Sequence, residues 1–327
     1  MSAPALIGTD LDYAAHCLQE GKLVAIPTET VYGLAGNALN TAAVAQIFLV
    51  KGRPHFDPLI VHIPDIDSVE RYAVTFPAEA RLLAERFWPG PLTLVLPKRD
   101  IIPDLVSAGG PTVALRVPNH PLTLELLRKT GLPLAAPSAN PFGYISPTRP
   151  EHVAAQLGDR ISYILDGGPC NIGLESTVVS FAGERPEILR LGGLDPEEIQ
   201  QLIPELSFSL RQSANPMAPG QLDKHYAPST RLVLTGNIRQ YLAQHQLPPK
   251  TVLMMFHHRV PEWPAEQQVV LSTSGTTIEA AQHLFAMMRE LDSSGFDLIL
   301  AEQAPETGLG PAINDRLHRA SYQESST

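Results

Sequence analysis

Apolar and polar positions alternate with two different periods along the first two hundred residues. From Asp10 to Glu20 apolar residues recur at helical spacing, with Thr9 or Asp10 as cap and Gly21 as stop, which predicts a helix. "LVAIP" is a short apolar run of strand length, and the "TETVYGLAGNA" behind it reads as turns. A helix over 41–50 and a strand over 59–63 follow. Further strands are predicted at "LTLVL", "TVALRV", "YILD", "STVVSF" and "EILRL", with helices near 77–87, 122–130 and 151–157. Some strands succeed one another without a helix between them. That pattern predicts a twisted, mixed α/β sheet rather than a strict βαβ repeat.

The pattern changes after residue 205. "MAPGQLDKHYAPST" carries two prolines and a glycine, so residues 206–230 read as an interdomain connection. It is an unusual one, because spacers are commonly Gly/Ser-rich and this one holds Asp223, Lys224, His225 and Tyr226 in a row. Beyond it, "RLVLTG", "TVLMMF", "QVVLS" and "DLILAE" read as strands, and a helix is expected over about 277–291, with a last one near 314–320. The expected organisation is a domain over 1–205, a linker over 206–230 and a smaller α/β domain over 231–327.

Composition narrows the function classes. The 327 residues suit two domains, and 31 prolines imply many fixed loop corners. A net charge of −10, with no run of Lys or Arg beyond two, gives no support to nonspecific nucleic-acid binding. The only cysteines, Cys17 and Cys170, form no C-x-x-C pair, which speaks against zinc and excludes a disulfide framework. No cationic segment precedes an apolar one at the start, and no stretch reaches the roughly 18 apolar residues of a membrane span. A soluble, cytoplasmic protein is expected.

Candidate chemistry comes from the strands and two loops. Walker, dinucleotide, zincin and nucleophile-elbow motifs are all absent. In "TVALRV" the alternation puts Thr112, Ala114 and Arg116 on one face; in "PLIVHI" it sets His62 beside Ile60, and in "EILRL" Arg190 beside Ile188. Any one such residue is more often a salt-bridged or satisfied core group. Three together, beside "KGRP", point to an anion-binding cleft. Ser138, Asn140, Ser146 and Thr148 lie on the proline-stiffened loop "APSANPFGYISPTRP", and "GLESTVV" forms a second loop. Held this way, hydroxyls and backbone amides cradle phosphates without a Walker loop, although each alone more often makes a turn.

"PTETVYGLAGNA", "KGRPHFDPLIVHI", "FWPGPLTLVL", "VALRVPNHP", "APSANPFGYISPT", "GLESTVV" and "ILRLGG" stand in one order over 26–193. Together they resemble the YrdC-domain family of threonylcarbamoyl-AMP synthases, and "HYAP" with the smaller C-terminal domain resembles its long, two-domain form. The resemblance implies a YrdC-like sheet with a deep basic cavity and a Rossmann-like C-terminal domain. It implies condensation of L-threonine, bicarbonate and ATP to threonylcarbamoyl-AMP with release of pyrophosphate. The product would feed the tRNA threonylcarbamoyl-transfer machinery that modifies position 37 of ANN-decoding tRNAs; direct tRNA contact is left open. By resemblance, Thr30, His62, Arg116, Ala136 and Ser176 hold L-threonine. Lys51, Arg53, Asp57, Thr112, Ser138, Ser146, Arg190 and Tyr226 hold ATP, and Mg²⁺ is held mainly by substrate phosphates and water.

No side chain is assigned as general base, because the carbamate itself attacks the α-phosphorus. Asp57 departs from the family's usual Asn, and an ionised carboxylate cannot donate to phosphate; it is expected to face a metal or Arg53 instead. The linker is expected to act as a lid, with Tyr226 reaching the ATP and adding little to either core. Two other readings are O-carbamoyl transfer, whose known carriers add cysteine zinc motifs missing here, and an RNA-binding module of the same fold.

Overall fold

The computed structural model describes residues 6–209 and 225–321. The first helix, Leu11–Gln19, begins where the Asp10 carboxylate accepts the Tyr13 amide at 2.9 Å, and the chain turns away at Gly21 with φ 76°. The helix Thr41–Lys51 is capped in the same way by Asn40 and closed by Gly52 at φ 63°. Its last residue, Lys51, is thereby fixed at a helix end rather than on a loose loop.

Among the described residues, eleven strands make the larger sheet. They are β1 (Leu6–Gly8), β2 (Val24–Ile26), β3 (Gly33–Asn37), β4 (Ile60–His62), β5 (Leu92–Pro97) and β6 (Thr112–Arg116). The rest are β7 (Leu134–Ala135), β8 (Tyr163–Leu165), β9 (Thr177–Ser180), β10 (Glu187–Arg190) and β11 (Ser207–Phe208). Their order is β1-β8-β2-β3-β7-β4-β6-β5-β9-β10-β11. Parallel pairs such as β4–β6 and β5–β9 stand beside antiparallel ones such as β2–β3 and β5–β6, so the sheet is mixed.

Two central strands break the sequence expectation. The stretch read as turns contains β3, and β7 was not expected at all; together they join β2 to β4. The glycines of β3 answer to packing rather than to turning. A Cβ on Gly36 would lie 2.9 Å from Leu23 Cδ2, and one on Gly33 would lie 3.1 Å from Ala136 Cβ. A two-residue strand such as β7 is too short to show any period.

The second sheet is wholly parallel: β12 (Arg231–Thr235), β13 (Thr251–Met255), β14 (Gln268–Val270) and β15 (Leu298–Glu302), in the order β12-β15-β13-β14. The long helix Thr277–Ser293 precedes β15, and the last helix, Gly310–Ser321, begins four residues before the expected start. No helix among the described residues is long and apolar enough to cross a membrane.

The chain divides into two compact units, and the second takes in Gly143–Ile145 and Ile172–Leu174 as well as the described chain from His225. Within this unit the Tyr144 hydroxyl donates to Asp292 Oδ2 at 2.5 Å, Arg289 donates to the Ile145 carbonyl, and the Arg289 guanidinium lies 5.1 Å from the centre of the Tyr144 ring. The expected linker differs from this picture at both ends. Ser207–Phe208 pairs with β10, while His225 and Tyr226 are buried; the intervening 210–224 lies outside the described residues. Tyr226 is 1% exposed, stacks on Phe285 at 5.5 Å and lies 5.0 Å below the Arg316 guanidinium. Contrary to expectation, it is a core residue of the second unit.

Gly173 gives a test of this packing. Its φ is +79°, and a Cβ would lie 2.3 Å from the Ala281 carbonyl oxygen. Gly173→Ala is expected to cost about 1–3 kcal/mol through backbone strain and that clash. Thermal unfolding of the full chain checks it, and an unchanged midpoint would contradict the packing.

Candidate active site

The site grows from the register of two strands. β4 and β6 run parallel with Ile60 opposite Ala114 and His62 opposite Arg116. Alternation then sends all four side chains to one face. Ile60 and Ala114 join Val95, Val178 and Leu189 in a buried apolar cluster. His62 and Arg116 stand one step further along, 2% and 4% exposed.

A guanidinium that deeply buried needs partners. Arg116 Nη2 contacts Glu29 Oε1 at 2.8 Å and donates to the Thr30 hydroxyl at 2.9 Å, while Nε donates to the Gly90 carbonyl at 3.2 Å. Thr30 is held in turn by the Thr28 hydroxyl at 2.8 Å, and Glu29 Oε2 accepts the Asn119 amide at 3.0 Å. Nη1 of Arg116 makes no hydrogen bond among the described residues. Burial, with Arg116 adding to it, pushes the His62 imidazole down to about 3, so the ring is neutral at physiological pH. Its Nδ1 makes no hydrogen bond among the described residues.

A second set of cations lies on the loops. Lys51 Nζ donates to the carbonyls of Ser138 and Asn140, both at 2.6 Å, and burial with the nearby Arg53 charge lowers its pKa well below the usual range. Arg53 pairs with Asp57 Oδ2 at 2.9 Å and donates to the Asp57 and Pro58 carbonyls. Of the two environments expected for Asp57, the structure supplies Arg53; burial nevertheless raises its pKa. Arg190 donates to the Ser176 carbonyl through Nε and Nη2 and to the Ser176 hydroxyl at 3.1 Å, and that hydroxyl meets Thr93 Oγ1 at 2.7 Å. The Ser146 hydroxyl donates to Glu175 Oε1 at 2.5 Å.

The fold therefore joins Arg116 to Thr30 and His62, Arg190 to Ser176, Lys51 to Ser138, and Arg53 to Asp57. Ala136 hydrogen-bonds the Ile60 carbonyl through its amide, and Thr112 opens β6 on the face that carries Ala114. Tyr226 belongs to the second unit, the others to the first. Sequence reasoning missed Glu29, Glu175 and Thr93. The signal was available for Glu29, since a lone acid inside the apolar stretch "AIPTETVYGLA" demands a buried cationic partner. With Glu29, Asp57 and Glu175 among Lys51, Arg53, Arg116 and Arg190, four bases face three acids, a smaller positive excess than a deep basic cavity suggests.

A family model described as telomere recombination matches residues 16–192, and one described as threonylcarbamoyl-AMP synthase, C-terminal domain, matches residues 194–321. The threonylcarbamoyl-AMP synthase of Pyrococcus abyssi is 42% identical over 320 residues, which cover 94% of this chain and 93% of the relative. The chain belongs to the threonylcarbamoyl-AMP synthase family. The Bacillus subtilis synthase is also 42% identical, over 94% of this chain and 91% of its own. The crystal structure of P. abyssi Sua5 complexed with L-threonine matches with a TM-score of 0.87 at 41% identity, covering 95% of this chain and 94% of that one.

For a synthase with this site, His62 makes a checkable contribution to acid sensitivity. Its folded pKa lies below the ordinary 6.5, so its contribution is complete above pH 6.5 and is lost as pH falls towards 3. Between pH 6.5 and 4.5 the loss is expected to reach about 2 kcal/mol. Urea unfolding should show a smaller loss over that window for His62→Gln than for the parent chain. Equal losses would mean that the imidazole is not held neutral.

Proposed function

We propose that the face carrying His62 and Arg116 joins L-threonine, bicarbonate and ATP into threonylcarbamoyl-AMP and pyrophosphate. The observation that carries this reading is the parallel pairing of His62 with Arg116, which sets a guanidinium and a neutral imidazole side by side on a buried face. Membership of the synthase family and the threonine named with the P. abyssi structure support it.

The amino acid would enter with its carboxylate towards Arg116 Nη1, beside Thr30, Ala136 and Ser176. Glu29 already neutralises part of the guanidinium charge, so recognition relies on fork geometry as much as on net charge. His62, being neutral, offers hydrogen bonds without adding a cation.

Threonine's amine and bicarbonate would combine to a carbamate with loss of water. A carbamate oxygen then attacks the α-phosphorus as the bond to the β-phosphate oxygen breaks and pyrophosphate leaves. Carboxylate, carbamate and triphosphate repel one another, so charge neutralisation and alignment supply the catalysis. Lys51 spends two of its three N–H donors on the Ser138 and Asn140 carbonyls, which aims the third. We assign that donor, with Arg53 and Arg190, to the phosphates; Thr112, Ser138 and Ser146 complete the nucleotide side. Asp57 acts by orienting Arg53, and Tyr226, a core residue of the second unit, has no part in this reading.

No group of three or more His, Cys, Asp or Glu among the described residues could hold a metal. Glu29, Asp57 and Glu175 already face Arg116, Arg53 and Ser146. Such a protein fits a Mg²⁺ that arrives on the nucleotide, where it would offset phosphate charge. The product's consumer would be the machinery that threonylcarbamoylates position 37 of ANN-decoding tRNAs.

Two outcomes are expected. Pyrophosphate release should require ATP, L-threonine, bicarbonate and Mg²⁺ together; equal release without threonine would remove the assignment. Arg116→Lys keeps a cation for Glu29 but loses the fork, and should raise the KM for threonine at least tenfold, about 1.4 kcal/mol, with little change in the KM for ATP. Steady-state kinetics decides, and an unaltered threonine KM would displace Arg116 from the substrate.

A further inference from the structure

The second unit contains a cavity of about 400 Å³ whose lining includes none of the residues assigned above to the synthase reaction. It lies where the chain leaves β12, β13 and β15, and its lining includes Phe256, His257, His258, Glu302, Gln303 and Glu306. From β13 the chain moves to β14 on one side. From β15 it enters Gly310–Ser321, which packs against β12 on the other. The gap between β15 and β13 is thus the point where strand order reverses, and open parallel sheets bind ligands in the crevice outside such a point. The volume falls within the usual range for small-molecule sites, about 300–1,000 Å³.

The walls are held before any ligand arrives. Asn314 takes the Ala304 amide at 2.8 Å and donates to the Ala304 carbonyl at 2.9 Å and to Glu306 Oε1 at 2.7 Å. Glu302 Oε2 accepts the Phe256 amide at 2.9 Å. His257 Nδ1 lies 2.8 Å from the Ser272 carbonyl; a carbonyl only accepts, so Nδ1 carries a proton. Neither Glu302 nor Glu306 has a cationic partner among the described residues, and each keeps one carboxylate oxygen without a hydrogen bond there.

This chemistry selects a ligand class. Two carboxylates without cationic partners among the described residues repel phosphates and nucleotides. The acids and imidazoles do not gather into a set that could hold a metal ion. Aromatic Phe256 and two imidazoles suit an organic cation better than a hydrated inorganic one. We propose that this crevice binds a small aliphatic amine with more than one ammonium group, its ammonium groups on Glu302 and Glu306 and its methylenes against Phe256 and Pro305.

The test uses the full chain and 1,4-diaminobutane as probe, followed by calorimetry at near-physiological salt without ATP. One saturable site per chain is expected. The pair Glu302→Gln and Glu306→Gln keeps both accepting oxygens but removes the charges, and should weaken binding at least tenfold while pyrophosphate release at saturating substrates stays unchanged. Glu262→Gln with Glu266→Gln, exposed acids outside the crevice, should leave binding as it was. Absence of saturation at concentrations on the order of millimolar would overturn the proposal. So would an equal loss in the exposed pair, or tighter binding of Mg²⁺ or adenosine at the same residues.

Discussion

The buried ion pair of Arg116 with Glu29 is the interaction on which the first unit's chemistry rests. Each partner is about 5% exposed, and either one alone would leave an uncompensated charge in the sheet's interior, a cost of roughly 3–5 kcal/mol. The pair therefore fixes more than itself. It holds the "PTET" turn against β6, brings the Thr30 hydroxyl onto the guanidinium, and adds a cation's repulsion to the burial that keeps His62 neutral. The site proposed for an amino acid carboxylate thus already contains a carboxylate. Selectivity then depends on which donors remain and where they aim.

The same economy recurs around the cations proposed for the phosphates. Arg53 is tied to Asp57, Arg190 to Ser176, and Lys51 to two backbone carbonyls. Each cation is aimed by partners that consume some of its donors, which limits the reorganisation needed when an anion arrives. Such preorganisation is available only because the loops that carry the partners are stiffened by prolines and by short strands.

Much of this was legible before any coordinates. The alternation in "TVALRV" and "PLIVHI" placed Arg116 and His62 each on one face of its own strand, because a strand's period of two is insensitive to what surrounds it. That the two strands pair and bring these residues side by side emerges only from the sheet. β3 and β7 were not legible, since glycine at Gly33 and Gly36 reflects a close approach by Ala136 and Leu23 that only the folded sheet creates. Glu175 was passed over for a similar reason, since its partner Ser146 is distant in sequence. Glu29 was marked by its apolar surroundings, but its partner Arg116 lies far along the chain. Tyr226 misled because proline and glycine around it signal a connection, while its ring is claimed by Phe285 and Arg316 from far along the chain.

That long separation bears on how the molecule is made. The hydroxyl of Tyr144 bonds to Asp292, 148 residues later, and Gly173 is packed against Ala281. At translation rates of about 5–20 residues per second, the tip around Tyr144 waits on the order of 7–30 seconds before its partner exists. During that interval the stretch carrying Ser138, Asn140 and Ser146 has its flanks in one folding unit and its tip without a home. The nascent first unit can therefore form its sheet but cannot finish the loop that carries these three residues until Asp292 has been made.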